Sequence, residues 1–130
     1  MSSSSSRTRS RSAARYRGLT LRVLGRRGPA IGPGKAELVE RIAQTGSISA
    51  AARAMGMSYR RAWQLVEALN RDFGEAVVAT AIGGRAGGGA RVSGFGRRIV
   101  ARYRAMEAKA CRSIAAEVKA FEALLARRKR

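Results

Sequence analysis

Two glycine–serine junctions, Gly46-Ser47 and Gly56-Met57-Ser58, constrain this chain more tightly than any other feature of it. Glycine commonly ends a helix in the left-handed conformation and serine is a preferred N-cap, so each junction reads as one helix stopping and another starting. Between them Ile48, Ala51, Ala52 and Met55 fall at i, i+3, i+4 and i+7, which predicts a very short helix with one apolar face made mostly of small side chains. Small side chains allow a close helix–helix crossing. After the second junction Ala62, Val66, Leu69 and Phe73 continue at helical spacing toward Gly74. Two helices joined by about three residues are the expectation.

The flanking segments supply the remaining elements. Leu19 to Leu24 alternate apolar and polar through Val23, the period of a half-buried strand, and end at Gly25. Gly32-Pro33-Gly34 is a turn, and Leu38, Val39 and Ile42 then predict a helix from about Pro33 to Thr45, with Glu37 and Glu40 near the start where the helix dipole favours negative charge. Beyond Gly74, Val77 to Ile82 is β-rich, Gly83 to Gly89 holds five glycines, and Ala90-Arg91-Val92 forms the returning strand of a hairpin. From Phe95 apolar or small residues recur at Ile99, Tyr103, Met106, Ala110, Ile114, Val118, Phe121 and Leu125, predicting one helix of about 33 residues, ~50 Å long. From Tyr103 to Leu125 that stripe has a period near 3.67, which suits a nearly straight helix pair rather than a heptad coiled coil.

Strand, helix, short helix, three-residue turn, helix, hairpin, helix is the order of a winged helix-turn-helix. The expected fold class is mainly α with a small β-hairpin, a winged helix-turn-helix followed by a long C-terminal dimerisation helix. Residues 1–18 are expected to be a disordered basic arm, 19–93 the winged helix-turn-helix domain, and 94–130 the long helix. The arm reading rests on seven serines and five arginines with no acid in residues 1–17, a composition that cannot offset the entropy of ordering. Targeting peptides share that composition, but no amphipathic stripe accompanies it here.

The partner is suggested by charge. In 130 residues, 27 Lys and Arg face 8 Asp and Glu, a formal charge of +19, so a polyanion is the default ligand. Histidine is absent and cysteine occurs once, at Cys111, so neither an intrachain disulfide nor the usual metal, acid–base or nucleophilic constellations can be assembled. No P-loop and no G-x-G-x-x-G spacing occurs among the glycines. No enzyme, cofactor or metal is expected. Apolar runs of only a few residues fall far short of the ~20 that span a bilayer, so a cytoplasmic protein with no membrane partner is expected.

The third helix of this motif enters the major groove, and its first turn here holds Ser58, Tyr59, Arg60 and Arg61, followed by Gln64. Arg60 and Arg61 sit at the positive end of a helix dipole, a conflict of about 0.3–1 kcal/mol each that an anionic partner relieves. Arginine can bond guanine in bidentate fashion, Gln64 can pair with adenine, and Ser58 or Tyr59 can serve a base or a phosphate. The bland reading, two solvated arginines on an exposed face, is weakened by the dipole conflict. Trp63 lies just off the apolar stripe, placed either to face the DNA backbone or to cover the edge of the core, the second favoured because Trp usually buries most of its ring.

On the preceding helix Arg53, with Ser47 and Ser49 at its start, is placed to meet phosphates. In the hairpin Arg85 and Arg91 flank small residues, and glycine permits close backbone approach, although a merely flexible loop has the same composition. Arg85, Arg91, Arg97, Arg98, Arg102 and Arg104 fall between Ala76 and Met106 without a single acid, one cationic block.

The run Gly46-Ser47-Ile48-Ser49-Ala50-Ala51-Ala52-Arg53-Ala54-Met55-Gly56-Met57-Ser58-Tyr59-Arg60-Arg61-Ala62-Trp63, with the glycine wing Gly83-Gly84…Gly87-Gly88-Gly89-Ala90, resembles the N-terminal DNA-binding domain of ModE-type molybdate-dependent transcriptional regulators. The likeness covers roughly residues 19–107, and a weaker one to LysR-type regulators covers Ser47 to Gly74. What the resemblance implies is a winged-helix dimer on inverted-repeat operators near genes of molybdenum homeostasis, with DNA-facing roles carried by Ser58, Tyr59, Arg60, Arg61 and Gln64. The molybdate-binding domains of that family, with their Ser-Ala-Arg-Asn-Gln type motif, have no counterpart in these 130 residues, so a separate sensor protein is an expected partner.

The functional expectation is a sequence-specific, homodimeric regulator of transcription that binds double-stranded DNA. The alternative is an architectural, largely sequence-tolerant DNA-binding protein whose basic ends supply affinity through counterion release. A basic amphipathic last helix resting on an acidic membrane, and an adaptor acting through that helix, are further alternatives.

Overall fold

A computed structural model describes residues 18–80 and 89–126. The elements are β1 (Val23–Gly25), β2 (Gly28–Ile31), α1 (Pro33–Thr45), α2 (Ile48–Met55), α3 (Tyr59–Phe73), β3 (Val78–Thr80), β4 (Ala90–Val92), α4 (Gly94–Ser113) and α5 (Ala115–Glu122). This is the winged helix-turn-helix order, mainly helical with small antiparallel hairpins.

Both glycine–serine junctions form as their chemistry dictates. Gly46 ends α1 at φ 71° and Gly56 ends α2 at φ 72°, the left-handed region where a side chain would clash. Ser47 and Ser58 cap the helices that follow, their Oγ atoms accepting from Ala50 N–H at 2.9 Å and Arg61 N–H at 3.0 Å. Each cap satisfies a donor that the first helical turn leaves orphaned, worth about 1 kcal/mol.

The core is the meeting of α1, α2 and α3. Ala36, Leu38, Ile42, Ala51, Ala62, Val66 and Leu69 are fully buried, and the alanines let the three helices approach closely. Val77, Val78, Ala90, Val92, Val100 and Tyr103 extend this core under the second hairpin and the start of α4. The expected stripe on α3 is the buried one, and Trp63 packs partly buried against the core, as read.

Several expectations change. The strand expected from Leu19 to Leu24 is confined to Val23–Gly25, and it pairs antiparallel with a second strand, β2, that was not foreseen. Gly25-Arg26-Arg27-Gly28 is the hairpin turn, with Gly28 at φ 129°, and the alternation in residues 19–24 carried no sign of a partner. β3 is described from Val78 to Thr80; residues 81–88, which hold Ala81, Ile82 and all of the glycine tip but Gly89, lie outside the described residues, as does the arm up to Arg17.

The single long helix is divided. α4 ends at Ser113, Ile114 has φ −122° and ψ 22°, and α5 begins at Ala115. No proline or glycine stands there. Instead the Ser113 hydroxyl donates to Ala110 O at 3.1 Å, a local bond that competes with the helical ladder and bends helices. Beyond the break α5 lies against the start of the described chain, with Val118 and Glu122 close on Gly18.

The buried face of α4 is also rotated from the stripe expected. Gly96, Val100, Tyr103 and Glu107 face the core, whereas Met106 is 45 % exposed. Gly96 sets this rotation, because its bare Cα lies where a Cβ would overlap Val77 O. Ser93 locks the same contact: its Oγ donates to Ala76 O at 2.6 Å and accepts from Gly96 N–H at 2.9 Å.

Glu37 and Glu40 answer side chains rather than the helix dipole. Glu37 accepts from Arg41 Nε at 2.9 Å within α1, and Glu40 pairs with Arg104 of α4. Arg104 therefore leaves the cationic block to which sequence assigned it. Burial opposes its charge, but hydrogen bonds to Glu40 and Glu107 outweigh that and raise its pKa. Glu107, 2 % exposed, accepts from Arg104 at 2.9 Å and from the Tyr103 hydroxyl at 3.3 Å, and that hydroxyl lies 2.7 Å from Leu21 O. Residue 21, α1 and α4 are thus joined through one buried polar chain.

Candidate nucleic-acid interface

The leading end of α3 is the focus of the site. Tyr59, Arg60, Arg61 and Gln64 are exposed, and among the described residues no ion pair engages Arg60 or Arg61. At 100° per residue Arg60, Gln64, Glu67 and Arg71 share one solvent-facing stripe, opposite the buried Ala62, Val66 and Leu69. Glu67 is the one carboxylate on that stripe, a residue that sequence reading passed over. Its signal was available, since it stands seven positions after Arg60.

Ser58 has its oxygen committed to capping, which leaves the hydroxyl proton free for an acceptor. Tyr59 meets Trp63 edge to face, ring centroids 6.3 Å apart at 82°, and the Trp63 indole N–H donates to the Tyr59 hydroxyl. This contact holds the Tyr59 ring against α3 and keeps its hydroxyl at the rim of the exposed stripe.

α2 supplies the supporting residues. Ser47 is half-buried and caps the helix, and Ser49 and Arg53 are both exposed, Arg53 donating to Ser49 Oγ at 3.3 Å. The three do not form one cluster with α3: Ser47 and Ser49 stand at the α1–α2 corner.

That corner is where the second hairpin docks. Ala90 N–H donates to Gly46 O at 3.0 Å, and Gly46, Thr80, Gly89 and Arg91 line a common concavity. Arg91 is exposed on β4, while Arg85 lies outside the described residues. The hairpin is tied to α3 by Asn70, whose Oδ1 accepts from Val77 N–H at 2.7 Å and Val78 N–H at 3.1 Å and whose Nδ2 donates to Val78 O at 3.0 Å. Sequence gave no hint of Asn70, because a mid-helix asparagine reads as weakly unfavourable until its strand partner is known.

Cationic side chains predominate on the exposed surface of these elements. Arg53, Arg60, Arg61, Arg91, Arg97 and Arg98 are all exposed, and Arg98 also stacks over the Phe95 ring at 5.9 Å. Among the described residues no group of three or more Asp, Glu, Cys or His could hold a metal ion. No helix among them is long and apolar enough to cross a membrane.

Comparison with known proteins follows the same outline. Residues 35–97 match the family described as bacterial regulatory helix-turn-helix protein, lysR family. The chain is 46 % identical over 86 residues to the molybdenum-pterin-binding protein MopB of Rhodobacter capsulatus, covering 66 % of this chain and 32 % of that protein. It is 41 % identical over 80 residues to the molybdenum transport protein ModE of Azotobacter vinelandii, covering 62 % and 30 %. With the DNA-binding transcriptional dual regulator ModE of Escherichia coli K12 it shares 37 % over 71 residues, 55 % and 27 % of the two chains. The chain thus spans about a third of the length of these relatives. The resemblance to ModE-type regulators is borne out, and the LysR-type likeness extends beyond the Ser47–Gly74 stretch in which it was first legible.

Proposed function

We propose that this protein is a sequence-specific, DNA-binding regulator of transcription, with α3 as the element that enters the major groove. The carrying observation is that the leading end of α3 stands clear of its own chain, capped by Ser58, with Arg60, Arg61 and Gln64 exposed and both arginines outside any ion pair among the described residues. Arg60 and Gln64 read base edges; Ser58, Tyr59 and Arg61 serve bases or phosphates at the groove rim. Ser47, Ser49 and Arg53 position the motif on one backbone strand, and Arg91 and Arg85 serve the wing. Glu67 adds an acceptor suited to the cytosine amino group.

The functional protein is a homodimer in this reading. Met106 on α4, Ile114 at the break, Phe121 on α5 and Leu124 just beyond it are 45, 40, 64 and 77 % exposed, apolar side chains that a second copy covers. Division into an arm (1–18), a winged helix-turn-helix (19–93) and a dimerisation segment (94–130) goes with it, as do a cytoplasmic setting and no catalytic role. The names of the relatives support genes of molybdenum homeostasis as targets. A separate protein that senses the signal belongs to the same reading.

Selection of bound sequences from a random duplex pool, followed by affinity measurement on the enriched and a scrambled duplex, tests this. Wild type is expected to prefer the enriched duplex by at least ~10³-fold, and Arg60→Ala to lose most of that preference. Binding without enrichment of any sequence overturns the specific reading in favour of an architectural one.

A further inference from the structure

The unforeseen hairpin β1–β2 carries the charge that the α3 site leaves unused. Arg22, Arg26 and Arg27 are exposed, none is ion-paired among the described residues, and no acid precedes Glu37 in the chain. The match to the regulatory family begins only at residue 35, so this hairpin lies outside it.

Its place beside α3 is fixed from two sides. β2 packs against α3, and the Lys35 ammonium at the start of α1 donates to Pro29 O at 2.9 Å. Burial lowers the Lys35 pKa, Asp72 opposes that, and the charges of Arg71 and Arg61 add to it, so the ammonium that holds Pro29 is within electrostatic reach of the Arg61–Asp72 flank of α3. The β3–β4 wing is held on the Asn70 flank. Arg61 and Asn70 are nine residues apart, 180° around the helix, so the two hairpins stand on opposite sides of α3.

A helix about 10–12 Å wide fills a major groove about 12 Å wide. Whatever is packed along its flanks therefore meets the sugar–phosphate walls of the groove. We propose that β1–β2 is a second wing, in which Arg26 and Arg27 at the hairpin tip bind duplex phosphates on the side of α3 opposite β3–β4. This inference rests on the reading of α3 as the groove-entering helix.

The test uses the whole 130-residue chain and a labelled 40-bp mixed-sequence duplex, titrated between 50 and 200 mM salt. The variants are R26Q/R27Q, the charge-keeping R26K/R27K, and K109Q/R112Q as a control of equal charge change on the exposed side of α4. R26Q/R27Q is expected to weaken binding about three- to tenfold and to reduce the slope of log affinity against log salt by about one to two, since each phosphate contact contributes about 0.9. R26K/R27K should bind within about twofold of wild type, because phosphate accepts either cation. Unchanged affinity and slope for R26Q/R27Q, or a loss matched by K109Q/R112Q, overturns the second wing. If Arg60→Ala weakens binding while R26Q/R27Q is silent, only the second wing fails; if wild type does not bind duplex at all, the reading of α3 fails beneath it. Thermal unfolding of each variant keeps the comparison sound, and a loss of binding in R26Q/R27Q that R26K/R27K does not restore also counts against the proposal.

Discussion

Arg104 and Glu40, 64 residues apart in the chain, face each other as a two-point pair, with Nη2 to Oε1 at 2.9 Å and Nε to Oε2 at 3.1 Å. The same guanidinium reaches the buried Glu107, so one arginine holds α4 to α1 and neutralises a carboxylate almost wholly removed from solvent. This network adds a polar tie to the apolar contacts by which Val100 and Tyr103 already seat α4 on the core.

Arg104→Ala leaves Glu107 buried without its cation. A loss of about 3 kcal/mol is expected, because breaking a buried pair on one side costs far more than the pair contributes. Urea unfolding measures it. The double variant Arg104→Met/Glu107→Leu should recover most of that loss, and a double variant as weak as the single one would show that the ion pair itself stabilises.

Gly96→Ala places a methyl group against Val77 O at the point where α4 meets the wing. A destabilisation of about 1–3 kcal/mol is expected from the forced shift, even though alanine favours helix over glycine by nearly 1 kcal/mol. A rise in melting temperature would mean that the contact relaxes freely.

Asn70→Ala removes three hydrogen bonds from α3 to the Val77–Val78 backbone and leaves buried backbone donors unsatisfied, at about 1–3 kcal/mol. Amide exchange at Val77 and Val78 should accelerate at least tenfold in this variant, with the exchange of α1 and α2 changed much less. Uniform acceleration would instead assign Asn70 to global stability.

Burial, then the charge and hydrogen bond of Glu107, raise the Tyr103 hydroxyl pKa above its ordinary value of 10.0. The folded state therefore holds this proton more tightly than the unfolded chain does. Its contribution is fully present below pH 10 and is lost as pH rises through the higher folded value. Stability should fall with increasing pH above 10, and more steeply in wild type than in Tyr103→Phe; parallel slopes would remove Tyr103 from the alkaline transition.

Much of this was legible from the chain alone because it is local. Ser47 and Ser58 are N-caps, Gly46 and Gly56 are left-handed stops, and the α3 stripe is the buried one, since capping and helical periodicity act over a few residues. Arg60, Arg61 and Gln64 were placed on the open face by the same periodicity. The misreadings involve distant partners. Gly25-Arg26-Arg27-Gly28 became a hairpin only because β2 was there to pair, and Arg104 left the cationic block only because Glu40 and Glu107 came to meet it. The break at Ile114 has no local signature, since neither proline nor glycine marks it.

Sequence by itself determined where the helices begin and end around the two junctions, which faces of α2 and α3 are apolar, and that the chain carries a large excess of positive charge. Tertiary structure decided which of those charges remain available: Arg104 is consumed within the fold, whereas Arg26, Arg27 and Arg60 stay exposed outside any ion pair among the described residues. It also decided the rotation of α4, through Gly96, and the seating of β3 on α3, through Asn70. The physical reason is range. Capping, dipole and periodicity are settled within one or two helical turns, but the pairing of a buried charge or the close approach of two backbones depends on residues brought together from far along the chain.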